Sequence, residues 1–327
     1  MNNKTIAYND IISLENIHEA WREFVSGKKH KTDVAEFQLK LSKNIHKLHK
    51  DLKSKTYVHG PYEAFSVNDP KPRNIHKASV RDRLLHHALY RQLYPYFDAK
   101  FIDDSYSCRD FKGTHRALDR FRQFVRKVSK NDHRTCWVLK CDVRKFFASV
   151  DQATLMEIIE RNIFDPDIIH LIGRVVGSFY STAPGKGLPL GNLTSQLFVN
   201  IYMNEFDQFV KHSLKAKHYI RYADDFVILS SDREWLCSIL PLIRGFLSDR
   251  LKLQLHPNKI SLRTIASGVD YLGWVNFPDY RVLRTATKKR MFRRLEASQG
   301  KPETVQSYLG LISHGNCQKL KKQIEGR

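Results

Sequence analysis

The stretch His218-Tyr219-Ile220-Arg221-Tyr222-Ala223-Asp224-Asp225-Phe226-Val227-Ile228-Leu229 constrains this chain more than any other. Two apolar and aromatic runs flank a short polar break, the pattern of a β-hairpin. Asp suits the break because it tolerates turn dihedrals and bonds its own backbone. Two adjacent carboxylates repel, and holding them at a hairpin tip is costly unless a cation sits between them. Hard oxygen ligands of this kind select Mg²⁺ or Mn²⁺. By itself Asp-Asp is a common solvated turn. Asp103-Asp104 supplies the comparison: it lacks flanking strand runs and reads as a loop.

The 327 residues carry a formal net charge of +21. An excess of that size suits a polyanion, most simply nucleic acid held through its phosphates. A membrane surface would attract it too, but no apolar run approaches the about 20 residues a spanning helix needs. The start, MNNKTIAYND, carries no signal-peptide pattern. A cytoplasmic protein without a membrane partner is expected. The five cysteines form no C-x-x-C pair, which argues against a zinc module or a disulfide framework.

Along the chain, Ser13 caps a helix whose Leu14, Ile17, Trp21 and Phe24 share one face. The spacing of Val34, Phe37, Leu41, Ile45, Leu48 and Leu52 predicts a second, continuous helix. The basic faces of this pair suit either solvent or RNA. A strand-like run, 57–67, leads to Asp69-Pro70-Lys71-Pro72-Arg73, where the prolines hold the backbone extended. Lys71 and Arg73, two apart, then point one way, toward a triphosphate. Helices are expected over 80–97 and 117–128. Trp137–Asp142 reads as a buried strand that leaves a carboxylate at a sheet edge. A Gly/Pro-rich loop, 184–192, runs into an apolar helix, and glycine at such a junction lets backbone approach a ligand. Val269–Val275 reads as one more strand. The basic residues Arg284, Lys288, Lys289, Arg290, Arg293 and Arg294 fall within about three helical turns. They form a solvated face or a contact for the polyanion that the charge demands.

Taken in order, these stretches resemble the reverse transcriptase family. Lys71-Pro72-Arg73 resembles its first fingers motif, and Ser107-Cys108-Arg109 with Lys112-Gly113-Thr114 its second. Asp142 with Phe146-Phe147 resembles the first catalytic motif, and Leu188-Pro189-Leu190-Gly191 with Ser195-Gln196 the next. Tyr222-Ala223-Asp224-Asp225 matches the catalytic hairpin, and Lys259 and Leu272-Gly273 sit where the last two palm motifs are expected. The resemblance covers residues 57–316 and implies an α+β right-hand polymerase fold: fingers, a palm with an antiparallel sheet and catalytic hairpin, and a short helical thumb. The implied segments are an N-terminal helical extension (1–56), fingers (57–135), palm (136–280, with insertion helices at 152–190) and thumb (281–327). It further implies nucleotidyl transfer to a primer 3′-hydroxyl, with two Mg²⁺ ions held by Asp142, Asp224, Asp225 and the Val143 carbonyl. Lys259 would protonate the departing pyrophosphate, while Lys71, Arg73, Phe147, Leu190, Gly191 and Gln196 would surround the nucleotide. Phe147 lies where the family keeps a ring that collides with a ribose 2′-hydroxyl; a core phenylalanine beside Phe146 is its other reading.

Most reverse transcriptases carry Gln where this chain has Leu190, and Ser-Pro where it has Ser195-Gln196. The string Leu190-Gly191-Asn192-Leu193-Thr194-Ser195-Gln196 is similar to the enzymes of diversity-generating retroelements. So are Ser307-Tyr308-Leu309-Gly310 and His314-Gly315-Asn316. Those enzymes copy a template-repeat RNA into cDNA, misincorporate opposite template adenines, and work with a small basic accessory protein oligomer. The partners implied are therefore template RNA, primer and cDNA, dNTPs and that accessory protein. The competing readings are a retron, phage-defence or group II intron-type reverse transcriptase, and a non-catalytic RNA-binding scaffold. The Leu190–Gln196 string argues against the other enzymes, and the intact carboxylates against the scaffold.

Overall fold

A computed structural model describes residues 6–68 and 72–326. Among them the strands are β1 (Glu63–Val67), β2 (Arg73–Lys77), β3 (Trp137–Asp142), β4 (His218–Tyr222) and β5 (Asp225–Ser230), followed by β6 (Ser261–Thr264), β7 (Val269–Tyr271), β8 (Trp274–Asn276) and β9 (Arg281–Leu283). The chain divides into two compact units. One takes the chain up to Ile102 with Val143–Phe209 and Gly245–Gln254. The other takes Asp103–Asp142, Val210–Arg244 and the chain from Leu255 onward. These units cut across the four segments drawn from the sequence.

The first unit is built on the helix Val80–Asp98, started by Ser79, whose hydroxyl accepts from the Asp82 amide. Its Leu84, Leu85, Ala88, Leu89 and Leu93 are fully buried against the helices Leu14–Val25 and Leu193–Gln208. Each leucine so buried contributes roughly 1.5–3 kcal/mol, so this apolar stripe holds the unit together. Ser13 caps Leu14–Val25 as expected. The continuous second helix is not formed: the chain makes Thr32–Leu39 and Leu41–Lys53, broken at Lys40, whose φ is −121°. Asn44 donates its side-chain amide to the Phe37 carbonyl at 2.9 Å, capping the first helix from the second. A polar side chain competing for backbone is a break that apolar spacing does not reveal.

In the second unit β4, β5, β3 and β6 form one antiparallel sheet in that spatial order. The helix Thr114–Ser129 covers a face of it, with Ala117, Leu118, Phe121 and Val125 in one core with Val138, Ile220, Val227 and Leu229. The single strand expected over 269–275 is instead the hairpin β7–β8, joined by β9 in a second sheet. Leu272 and Gly273 form its turn with φ of 50° and 86°, the left-handed pair a two-residue hairpin requires. The terminal helices pack through Met291, Leu295, Ile312 and Ile324 into the same core. Gly315 has a packing reason: a β-carbon there would run into the Trp274 ring. Among the described residues no helix is long and apolar enough to cross a membrane.

Candidate active site

The ladder between β3 and β5 sets Asp142 directly opposite Asp225. Directly opposed residues share a face with β-carbons about 4.5–5.5 Å apart. Asp225 opens β5, so the turn itself holds Ala223 and Asp224, with Ala223 at a φ of 54°. The tip thus divides its two carboxylates, one in the turn and one in the ladder. On the other side of β3, pairing with β6 stops at Lys140–Ser261. The last two residues of β3 are free of a neighbour strand there, which is the edge the sequence led us to expect. The Asp142 carbonyl takes the His256 amide at 2.7 Å, fixing the loop that carries Lys259.

Two ammonium groups meet these carboxylates. Lys259 Nζ donates to Asp142 Oδ1 at 2.7 Å, and Lys140 Nζ lies 3.4 Å from Asp225 Oδ2. Lys140 precedes Asp142 by two in β3, so strand alternation puts both on one face. Asp225 Oδ1 is buried with no hydrogen-bond partner. Burial pushes the Asp225 carboxyl up from 3.8 to about 7; the Asp142 and Asp224 charges add to the shift and Lys140 opposes it. An orphaned buried carboxylate oxygen facing a second carboxylate fits a hard divalent cation. Among the described residues, no three His, Cys, Asp or Glu side chains stand ready as a cage. Asp142 Oδ1 is engaged by Lys259, so a cation that takes this oxygen, together with Asp225, would displace the ammonium.

Arg221 holds the tip. It is fully buried, donating through Nη1 to the Ala223 carbonyl at 3.1 Å and through Nη2 to Ser105 Oγ at 3.0 Å. Its backbone pairs with the segment beside it: Arg221 N–H to Asp104 O at 3.0 Å, and Tyr106 N–H to Arg221 O at 2.9 Å. The segment Asp104–Tyr106, just before the Ser107–Arg109 motif, thus lies alongside β4. Asp103 and Asp104 are structural, paired with Lys112 and Arg120 respectively.

The residues expected around a nucleotide lie in the first unit. Lys71 falls outside the described residues, with Asp69 and Pro70. Arg73 opens β2 opposite Val67 and is exposed. Two residues from it along β2, Ile75 approaches Gly191 so closely that a β-carbon there would lie 2.8 Å from Ile75 Cγ2; Gly191 also has a φ of 104°. Only glycine suits such a place. The His76 amide donates to the Leu190 carbonyl at 3.0 Å, and Asn192 Nδ2 donates to the His76 carbonyl at 2.8 Å. The loop is thereby tied to β2. Gln196 is half-buried in the first turn of Leu193–Gln208. Of the phenylalanine pair, Phe146 is buried and Phe147 half-buried, their rings 5.6 Å apart and nearly edge-on. The core role thus falls to Phe146. Val143, next after Asp142, buries its side chain.

The six C-terminal basic residues differ in exposure and pairing. Arg284 precedes the helix Thr285–Ala297 and pairs with Asp270 at 3.1 Å. Lys289, Arg293 and Arg294 are exposed, whereas Lys288 and Arg290 flank the buried Thr287–Met291–Leu295 stripe. Sequence reasoning missed Lys140, Arg221 and Asn192. For Lys140 a signal existed, a cation two residues before a strand-ending carboxylate; Asn192 and the Nη2 contact of Arg221 have partners 116 residues away.

The profile of the family described as reverse transcriptase (RNA-dependent DNA polymerase) matches residues 67–276. Protein YkfC of Escherichia coli (strain K12) is 26% identical over 277 residues, 72% of this chain and 72% of its own length. Group II intron-encoded protein LtrA of Lactococcus lactis subsp. cremoris is 23% identical over 319 residues, covering 75% of this chain and 51% of LtrA, so the chain spans about half of that relative. Among solved structures, apo telomerase from Candida tropicalis truncated from its C-terminal domain aligns with a TM-score of 0.49 and 13% identity, over 70% of this chain and 54% of its own.

Proposed function

The chain belongs to the reverse transcriptase family, and from that premise we propose that it copies a template-repeat RNA into adenine-mutagenised cDNA, as enzymes of diversity-generating retroelements do. The observation that carries the polymerase chemistry is the Asp142–Asp225 pair across the β3–β5 ladder. Asp142, Asp224 and Asp225, with the Val143 carbonyl, are the ligands proposed for divalent ions, Mg²⁺ first and Mn²⁺ second. When bound, such ions supply the Lewis acidity that activates a primer 3′-hydroxyl and offsets charge on the departing pyrophosphate. Lys259, which donates to Asp142, is the group proposed to pass a proton to that leaving group. Arg73, with Lys71, neutralises the triphosphate. A small basic accessory protein belongs to the same reading.

Two residues tune selection. A Gln at position 190 can hydrogen-bond near the incoming nucleotide; leucine cannot, and apolar sites discriminate less well than hydrogen-bonding ones. Leu190→Gln is expected to cut errors opposite template adenines roughly ten-fold, the worth of about one hydrogen bond. Sequencing of cDNA made in vitro reads this directly, and an unchanged adenine error spectrum refutes the role given to Leu190. Phe147→Val is expected to raise ribonucleotide use relative to deoxyribonucleotide use by roughly 10–100-fold. The ratio of kcat/KM values for the two substrates checks it independently of any loss of folded protein.

The likeness to LtrA favours one second reading, a group II intron-type enzyme. The same cDNA sequencing separates the two. Errors concentrated at adenines support the retroelement reading; a uniform low error rate supports the intron-type one.

A further inference from the structure

A second cluster of charged side chains lies within the first unit and has no part in the chemistry above. Arg144, Lys145, Lys186 and Lys252, with the hydroxyls of Ser149 and Thr182, line an open basin of about 310 Å³. All four cations are exposed. No carboxylate lines the basin, and among the described residues none of the four makes an ion pair. Like charges gathered in one concavity repel one another and are stabilised by a polyanion.

The frame is laced by backbone. Arg144 N–H donates to Gln254 O at 2.8 Å, Gln152 N–H to Gly185 O at 2.9 Å, and Gly187 N–H to Val150 O at 2.8 Å. Ser181 Oγ adds a bond to Ala148 O at 2.6 Å. Three chain segments distant in sequence are thus held together beneath these cations; Lys252 Nζ donates to the Asp249 carbonyl at 2.7 Å and would exchange that contact for a phosphate. Lys145 and Lys252 stand in left-handed backbone, φ 47° and 52°, which glycine or asparagine adopts with less strain. No aromatic ring lines the basin, so nothing there stacks a base, and the open shape suits a strand passing through better than an enclosed small molecule.

We propose that this basin grips consecutive phosphates of a single-stranded RNA, by its backbone and without regard to sequence. The proposal rests on the family's nucleic-acid substrate and not on the carboxylate assignment. The test is binding of a fluorescent oligouridine to the full chain, without dNTPs or divalent ions, across about 50–200 mM salt. The variant carries Arg144→Gln, Lys145→Asn, Lys186→Gln and Lys252→Asn; asparagine suits the two left-handed positions. Four lost phosphate contacts at about 0.7 each should flatten the log K against log salt slope by roughly 3. Thermal unfolding should not fall, since all four side chains are exposed and asparagine relieves the left-handed backbone at two of them. A charge-matched control neutralises Lys43, Lys47, Lys50 and Lys53, all exposed on the helix Leu41–Lys53, and should flatten the slope much less. An unchanged slope in the basin variant, or equal flattening in the control, overturns the proposal. So does a variant that loses competition by inorganic pyrophosphate while keeping its RNA slope, which marks a small-polyphosphate site instead. Because no polymerisation is measured, loss of the catalytic reading would leave this result standing.

Discussion

Asp225→Asn is expected to lower cDNA synthesis by at least about 10³-fold while leaving the fold as stable as the wild type, or more so, at neutral pH. The loss follows from removing the charge that faces Asp142 across the ladder. The stability follows from proton linkage. Asp225 titrates near 7 in the folded chain against an ordinary 3.8, so between those values the folded state holds a proton that the unfolded chain has released. Its contribution to stability is full below about pH 4 and is lost as pH rises through about 7. Asparagine does not titrate. The wild-type minus variant difference in unfolding temperature should therefore move in the variant's favour from about pH 5 to about pH 8. Primer extension on an RNA template, with thermal unfolding over that range, reads both effects. Synthesis near the wild-type rate would remove Asp225 from the chemistry, and a pH-independent difference would contradict its buried titration.

Arg221→Leu carries the largest expected cost to folding, about 2–4 kcal/mol. The guanidinium is buried, and its removal leaves the buried Ser105 hydroxyl and the half-buried Ala223 carbonyl without these hydrogen bonds. Each unsatisfied buried group costs about 1–3 kcal/mol, and leucine cannot span the two. That loss is a large part of the margin by which a domain is folded. Arg221→Lys keeps the charge but not the planar fork, so it should recover only part of the stability. Chemical denaturation of the three proteins measures this; a cost below about 1 kcal/mol for Arg221→Leu would mean that the tip does not depend on this side chain.

The motif order made the architecture legible because each motif is short, local and chemically odd. An Asp ending an apolar run and an Asp-Asp between two such runs both survive reading one residue at a time. Register does not. That Asp225, rather than Asp224, stands opposite Asp142 depends on Ala223 and Asp224 forming the turn, and a one-residue slip would reverse every face. The β7–β8 hairpin escaped for a similar reason: Leu272 in left-handed backbone gives no compositional warning, and Gly273 alone is compatible with a strand interior. Arg284, one of the six basic residues expected to face solvent or the polyanion, instead has a partner in Asp270, fourteen residues earlier. Lys140 and Arg221 read as ordinary strand residues because their meaning comes from neighbours the sheet supplies. Charge was legible in amount but not in place; the total of +21 says nothing of which cations gather around one basin.

The central claim is that Asp142 and Asp225 grip one divalent ion between two paired strands, with Lys259 giving way. Mn²⁺ titration followed by electron paramagnetic resonance, in the presence of primer–template and a non-hydrolysable dNTP, tests it most directly. The account predicts tight Mn²⁺ binding in the wild type that disappears in both Asp142→Asn and Asp225→Asn, and tightens in Lys259→Gln when the competing ammonium is gone. Undiminished Mn²⁺ binding in the two asparagine variants would contradict it.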